Sequence, residues 1–501
     1  MELLKLKYKH IGINSQDKRI VYLKLKSEAR VKAGLEVLKK VSLTCKNKTI
    51  IGTVHLLSNG FISENEIGLS DFAQNQLEAD EGDEITVELA KMPNMSLNAI
   101  RSKMYGGKFT QEELNQIISD TNQGLLSNVH LAAFISSSAG NNLDVYEITA
   151  LTKAMVNIGD RLQWDSDIVV DKHCIGGIPG NRTTPIVVPI VAAAGLKIPK
   201  TSSRAITSPA GTADTLEAMT NIELDLEQLR NVVEKENACL AWGGSMKLSP
   251  ADDILIKIER LLNVDSKGQM IASVLSKKVA AGSTHVLIDI PVGLTAKIKS
   301  MDFAEKLKSE FEFVSSEIGL KSKVIISDGR KPIGRGIGPA LEAKDVLKVL
   351  KNEEDAPIDL RKKSIKIAAE IFKMALNISQ KEAIQKAQEI LDSGKAYDKF
   401  IAICTAQGAV KKLPTAKYTY EFKPVRTGKI IGIDNSKLSN LAKLVGAPEN
   451  HAAGLELVRN DGDEIISGDT VIILHSDSEK LLNMGIDYLF NNKDLLKIAE
   501  I

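Results

Sequence analysis

A run of β-branched residues, Ile168-Val169-Val170, leads into Asp171-Lys172-His173, then into a stretch bearing Gly176, Gly177 and Gly180, and then into an apolar segment, 186–194, long enough for a helix. Strand, glycine loop and helix in that order constrain this part of the chain to a βα unit with the helix N-terminus facing the loop. Such a unit cradles anions: glycines let backbone N–H groups approach an oxyanion, and the helix start adds partial positive charge. Lys172 and Arg182 supply full charge. A second loop, 201–212, adds hydroxyls and a further cation through Thr201, Ser202, Ser203, Arg204, Thr207, Ser208 and Thr212 around Gly211. The spacing lacks the Gly-Lys-Ser/Thr end of a Walker loop and is not GxGxxG. Two donor-rich loops one βα unit apart can converge on a single anion.

Around this stretch, residues 163–412 alternate short β runs with helical ones, which predicts a largely parallel α/β sheet. Strands are expected at 168–170, 286–290 and 324–327, and helices at 226–236, 253–262, 270–281, 304–307, 343–350 and 363–375. Ligands of such sheets sit beyond the carboxyl ends of the strands. The loops after Val170 and Ile290, and Asp328-Gly329, occupy such positions. Residues 1–90 read as a β-rich domain with strands at 20–25, 49–54 and 84–89, in which His10 and His55 are structural. Residues 93–160 read as a small all-α domain with a capping box at Thr110, joined by a returning helical segment near 253–280. Residues 417–501 read as a C-terminal β-rich α+β domain. The expected class is therefore an α/β multidomain protein.

The 65 basic and 64 acidic residues leave a formal net charge of +1, no footprint for a nucleic-acid polymer or an acidic membrane. Aromatics at 4% argue against a base-stacking surface. Cys45, Cys174, Cys239 and Cys404 form no CxxC, so neither a metal site nor a disulfide framework is expected. The longest apolar run is too short to cross a bilayer, and a cytoplasmic location is expected.

Five segments resemble the thymidine phosphorylase family of pentosyl phosphorylases: Asp171-Lys172-His173-Cys174-Ile175-Gly176-Gly177, the run 198–204, Gly211-Thr212-Ala213-Asp214, the run 272–278 and Asp289-Ile290-Pro291-Val292-Gly293. The N-terminal extension and the form of the glycine loop resemble the longer branch, which holds AMP phosphorylases and bacterial thymidine phosphorylase-like proteins. The resemblance implies phosphorolysis: phosphate attacks the pentose C1′ and the base leaves. It implies no cofactor, inorganic phosphate as co-substrate, a site in a cleft between the α and α/β domains, and a homodimer or larger homo-oligomer.

By the same resemblance Lys172, Cys174, Gly176, Gly177, Thr184, Ser202 and Thr212 hold phosphate, with Cys174 standing where many members carry serine. His173 and Asp265 are the catalytic candidates, Asp265 matching a proton donor of the AMP phosphorylase branch. Ser273 and Lys277, four apart on one helix face, match the pair that binds the base. Gly177, the loop Ser203, Arg204, Ala205, Ile206, Thr207 and Ser208, Thr212 and Lys297 complete the substrate contacts. A basic second loop and Lys297 suit a 5′-phosphate, so nucleoside and nucleoside monophosphate (AMP, CMP or UMP) both stand as substrates. An anthranilate phosphoribosyltransferase-like transferase is the distant alternative, and an anion-binding regulator the non-enzymatic one. The basic run Arg361-Lys362-Lys363 reads as exposed helix surface.

Overall fold

The computed structural model describes residues 3–58, 60–205, 208–245, 249–264 and 266–500. Contacts group the chain into two compact units, Met1–Ile158 with Pro250–Gly268, and Gly159–Ser249 with Gln269–Ile501.

The first unit opens with a closed barrel of six strands: β1 (Leu4–Ile13), β2 (Ile20–Lys24), β3 (Lys40–Cys45), β4 (Lys48–Leu57), β5 (Glu66–Ser70) and β6 (Glu84–Leu89), in the order β1-β5-β2-β4-β3-β6. Alternation turns Val41, Leu43 and Cys45 of β3 inward, against Val21, Leu23, Ile67, Ile85 and Val87. Strands β1, β3 and β5 go beyond those expected from sequence: lysines alternate through β1, serine and threonine interrupt β3, and β5 is only five residues with a central glycine. The helices Asn94–Met104, Gln111–Gln123, Asn128–Ser137 and Val145–Ile158 form a bundle, joined by Pro250–Leu262. Thr110 and Glu113 close the reciprocal capping box. Lys103 and Glu147 form a buried ion pair at 2.6 Å.

The second unit is built on five parallel strands, β7 (Val170–Cys174), β8 (Ile198–Ser202), β9 (Ala238–Trp242), β10 (His285–Val292) and β11 (Lys321–Asp328). β7 pairs with β10 and β10 with β11, while β8 pairs with β9. A parallel bridge between Val169 and Lys197, with the Val170 N–H donating to the Lys197 carbonyl at 2.9 Å, sets β8 on the other side of β7. The chain thus runs outward through β8 and β9 and returns to β10 across β7. That reversal is a topological switch point, where the carboxyl ends of β7 and β10 leave a crevice.

Two expectations change. Asp171, Lys172 and His173 lie within β7 rather than after it, and Thr201 and Ser202 lie within β8 rather than in the second loop. β8 is buried along its whole length, yet three of its five residues are polar, so its composition reads as loop. The helices Thr184–Ala193 and Ile358–Leu376 cover this sheet through Ile186, Val187, Ile190, Val191, Ile371 and Phe372. The latter runs longer than its expected span, as do Met301–Glu317 and Pro339–Leu350. Helices Gln380–Asp392 and Lys395–Ala406 add to those expected.

Beyond residue 417 lie two small antiparallel sheets and the helices Asn435–Leu444 and Glu479–Asn491. One sheet takes in the two-residue strand Gly336–Ile337, which pairs with Gly454–Leu457. The chain is thus a mixed α/β protein with a helical bundle and a parallel α/β sheet. Among the described residues no helix is long and apolar enough to cross a membrane.

Candidate active site

Side chains alternate along β7, so it serves two faces of the sheet. Lys172 and Cys174 share a face with their register partners on β10, Leu287 and Asp289. Asp171 and His173 share the other.

On the first face Lys172 is 2% exposed and its Nζ donates to the Thr183 hydroxyl at 2.7 Å. Among the described residues no carboxylate pairs with it. Burial pushes its pKa down to about 8. Thr183 and Thr184 open the helix Thr184–Ala193, which places Lys172 at a helix start. Cys174 is not a free donor: its thiol faces the Asp289 carboxylate at 3.6 Å, and the Asn181 amide donates to its sulfur at 3.4 Å. Burial, then the Asp289 charge, pushes that thiol up. Its weak proton is thus directed at a carboxylate in this structure. Ser202, 8% exposed, carries a buried hydroxyl with no hydrogen-bond partner among the described residues, as does the Asn181 side-chain oxygen. Asn181 thus leaves its side-chain oxygen unpartnered beside the Cys174 sulfur.

Arg182 does not add free charge. Its guanidinium is held by Glu342, donates to the Thr212 hydroxyl at 3.2 Å and to the Ala210 carbonyl at 2.7 Å. It is a strut that ties the second loop to the first. Loops following the three neighbouring strands also interlock through glycines. A Cβ on Gly177 would stand 2.5 Å from the Lys297 backbone nitrogen, and one on Gly293 would stand 2.4 Å from the Gly329 carbonyl. Gly176 and Gly177 both have left-handed φ, +87° and +88°.

On the other face Asp171 lies 2.7 Å from Lys278 Nζ and 3.5 Å from Lys200 Nζ, all three buried. Burial, then the charges of Lys278, Lys200, Lys172 and Lys277, hold the His173 imidazole well below its ordinary pKa. It is neutral at physiological pH. The helix Lys267–Ala280 brings Lys277 to this side, with Ser273 one turn before it, both half-buried.

In the second loop Arg204 is engaged by neighbouring side chains. Its guanidinium lies over the Trp242 ring at 4.7 Å and is claimed by Glu217, by Glu223 at 3.2 Å and by Asp214 at 3.7 Å. Three carboxylates thus surround a guanidinium whose side chain remains 32% exposed. Asp214 also accepts from the Ala205 and Gly211 N–H groups, each at 2.7 Å, folding the loop back on itself. Ser203 is exposed, Ser208 donates to the Ala210 carbonyl at 3.0 Å, and Lys297 is exposed beside Gly177. Asp265, Ile206 and Thr207 lie outside the described residues.

Sequence reasoning missed Asp289 and Lys363. Asp289 accepts from the Ser327 hydroxyl at 2.6 Å and pairs with Lys363 at 3.1 Å. Lys363 is thus largely buried rather than surface, its side chain 14% exposed. A period-two count from Cys174 could not have found it, because it arrives from a helix nearly two hundred residues on.

Residues 97–159 match the glycosyl transferase family, helical bundle domain, and residues 166–397 the glycosyl transferase family, a/b domain. A Legionella pneumophila (strain Corby) protein named "Putative thymidine phosphorylase" is 45% identical over 99% of this chain and 96% of its own. A Hahella chejuensis protein of the same name is 44% identical over 100% of this chain and 99% of its own. Among solved structures, anthranilate phosphoribosyltransferase from Thermus thermophilus superposes with a TM-score of 0.53 at 20% identity, over 62% of this chain and 99% of that one. That likeness concerns the fold.

Proposed function

The chain belongs to the thymidine phosphorylase family of pentosyl phosphorylases, and on that premise we propose that it splits thymidine or a related pyrimidine nucleoside with inorganic phosphate, giving free base and (deoxy)ribose 1-phosphate. It is a glycosyltransferase-type enzyme acting on small molecules. The observation that carries the proposal is the buried Lys172 ammonium at the switch point, bonded to a hydroxyl and paired with no carboxylate among the described residues.

A phosphate dianion beside Lys172, Ser202 and the loop N–H groups would lie under the sugar. As the C1′–N bond breaks, the sugar takes on oxocarbenium character and the dianion offsets that charge. A phosphate oxygen then bonds to C1′, and the bonding pair leaves with the base. Neutral His173 donates a hydrogen bond to the departing base but supplies no proton, while the ammonium of Lys277 offsets its growing negative charge. A proton from Asp265 completes departure. Arg204 favours an uncharged 5′-hydroxyl over a 5′-phosphate, because Glu217, Glu223 and Asp214 already neutralise it. Lys297 is the group through which a monophosphate would instead be held.

In this reading the chain comprises four domains, the barrel, the bundle, the α/β sheet and the C-terminal sheets, and works in the cytoplasm without cofactor. It forms a homodimer, for which the exposed Met104, Tyr105 and Val129 of the bundle offer apolar surface. The test is a panel of thymidine, uridine, AMP, CMP and UMP with phosphate, following free base. Release from nucleosides alone supports the proposal. Release from monophosphates alone, lost in Lys297→Ala, replaces it with nucleotide phosphorolysis.

A further inference from the structure

Inorganic phosphate at neutral pH carries between one and two negative charges, and this sheet face offers it one ammonium without a carboxylate partner among the described residues, Lys172. Arg182 is closed on Glu342, and Lys200 and Lys278 share Asp171 on the opposite face of the sheet. Near the carboxyl ends of the strands a further ammonium, Lys363, stands on the face of Lys172, it too paired with a carboxylate, so that it adds donors rather than net charge. The helix Ile358–Leu376 crosses beneath that face antiparallel to the strands, for Glu370 pairs with Lys323 at the start of β11 while Lys363, two turns earlier, reaches Ser327 near its end. Lys363 Nζ lies 3.1 Å from Asp289 and 3.3 Å from the Ser327 hydroxyl. Asp289 in turn is the register partner of Cys174 and faces its sulfur at 3.6 Å. Ammonium, carboxylate and thiol thus form one contiguous row at the carboxyl ends of β7, β10 and β11.

The chemistry of the row is specific to a cysteine at position 174. A thiol is a poor donor, and here it is turned to a carboxylate. Lys363 carries three N–H donors, of which the carboxylate and the hydroxyl engage two. Resting on the phosphorolysis reading above, we infer that Lys363 is a further N–H donor of the phosphate subsite, its charge shared with Asp289, the positioning residue that holds it, and that it supplies the donor that Cys174 cannot.

Direct binding of inorganic phosphate to the full chain, by calorimetry, tests this alongside steady-state kinetics. Lys363→Met should weaken phosphate binding and raise the phosphate KM by about tenfold to a hundredfold, the size of one lost charge-assisted hydrogen bond, with the nucleoside KM little changed. Lys363→Arg should recover most of that loss. Lys363→Met alone strands a buried carboxylate, so the double variant Lys363→Met with Asp289→Asn removes both charges together. It should regain thermal stability and remain defective for phosphate. If the double variant regains phosphate affinity with its stability, the pair is only structural and the inference falls. It also falls, with phosphorolysis intact, if Lys363→Met binds phosphate as the unsubstituted protein does. Should the unsubstituted protein itself bind no phosphate, the function proposed above falls, and this inference with it.

Discussion

Arg182 and Glu342, 160 positions apart, close a buried ion pair that ties the loop after β7 to the loop after β8. Glu342 also accepts from the Thr215 hydroxyl at 3.3 Å, and Arg182 reaches Thr212 and Ala210. Removing one partner leaves an uncompensated buried charge, a cost of about 3–5 kcal/mol. Glu342→Ala should therefore lower the melting temperature steeply, and any folded fraction should show raised KM for both substrates. Glu342→Gln keeps an acceptor and should lose less. Thermal denaturation and two-substrate kinetics distinguish the two.

Phosphate affinity should fall as pH rises above about 8. The Lys172 pKa is lowered to about 8 by burial, so above that pH the free protein holds it neutral. A bound dianion favours the charged form, so binding there requires proton uptake and weakens by up to about tenfold per pH unit. Calorimetry at pH 8.5 in buffers of differing ionisation enthalpy should show that uptake. Lys172→Ala should abolish both the uptake and turnover with every substrate.

The adjacent glycines should differ in tolerance. Gly176→Ala meets open space and faces only left-handed backbone strain, about 1–2 kcal/mol. Gly177→Ala adds a methyl 2.5 Å from the Lys297 nitrogen and must push the loops after β7 and β10 apart. Gly176→Ala should retain most of its phosphate affinity, and Gly177→Ala should lose far more. Melting temperature and phosphate KM measured on both variants check this.

Asp345 predicts a pH dependence of stability. Burial raises its pKa from 3.8 to about 6, against the opposing pull of the Arg335 and Gly336 N–H groups at 2.6 and 2.8 Å. The fold thus favours the protonated carboxyl. Its stabilising effect is complete below about pH 4 and is lost as pH rises to about 6. Asp345→Asn should gain stability relative to the unsubstituted protein across that interval and hold the gain above it. Denaturant titrations from pH 4 to 8 would show a flat difference if the assignment is wrong.

The glycine loop and the helix after it were legible because each is a local pattern. So were the Thr110 cap and the i,i+4 pair Ser273 and Lys277. β8 was not, since Lys200, Thr201 and Ser202 look like loop residues until Asp171 supplies the buried charge that lets Lys200 sit inside. Arg182 and Arg204 read as free cations because their carboxylates, Glu342 and Glu217, are adjacent only in space. Lys363 was illegible for the same reason: a lysine beside Arg361 and Lys362 announces solvent, and only the packed helix reveals Asp289 beneath it.

The strand that carries Lys172 is paired on one flank with residues that follow it by more than a hundred positions, Val170 beside His285. A chain emerging from the ribosome therefore holds the lysine, both glycines and the hydroxyls well before it holds a crevice. Until β10 arrives, those groups are a flexible polar stretch with nothing to enclose, and a truncation ending near residue 280 should be inert however well its remaining parts fold.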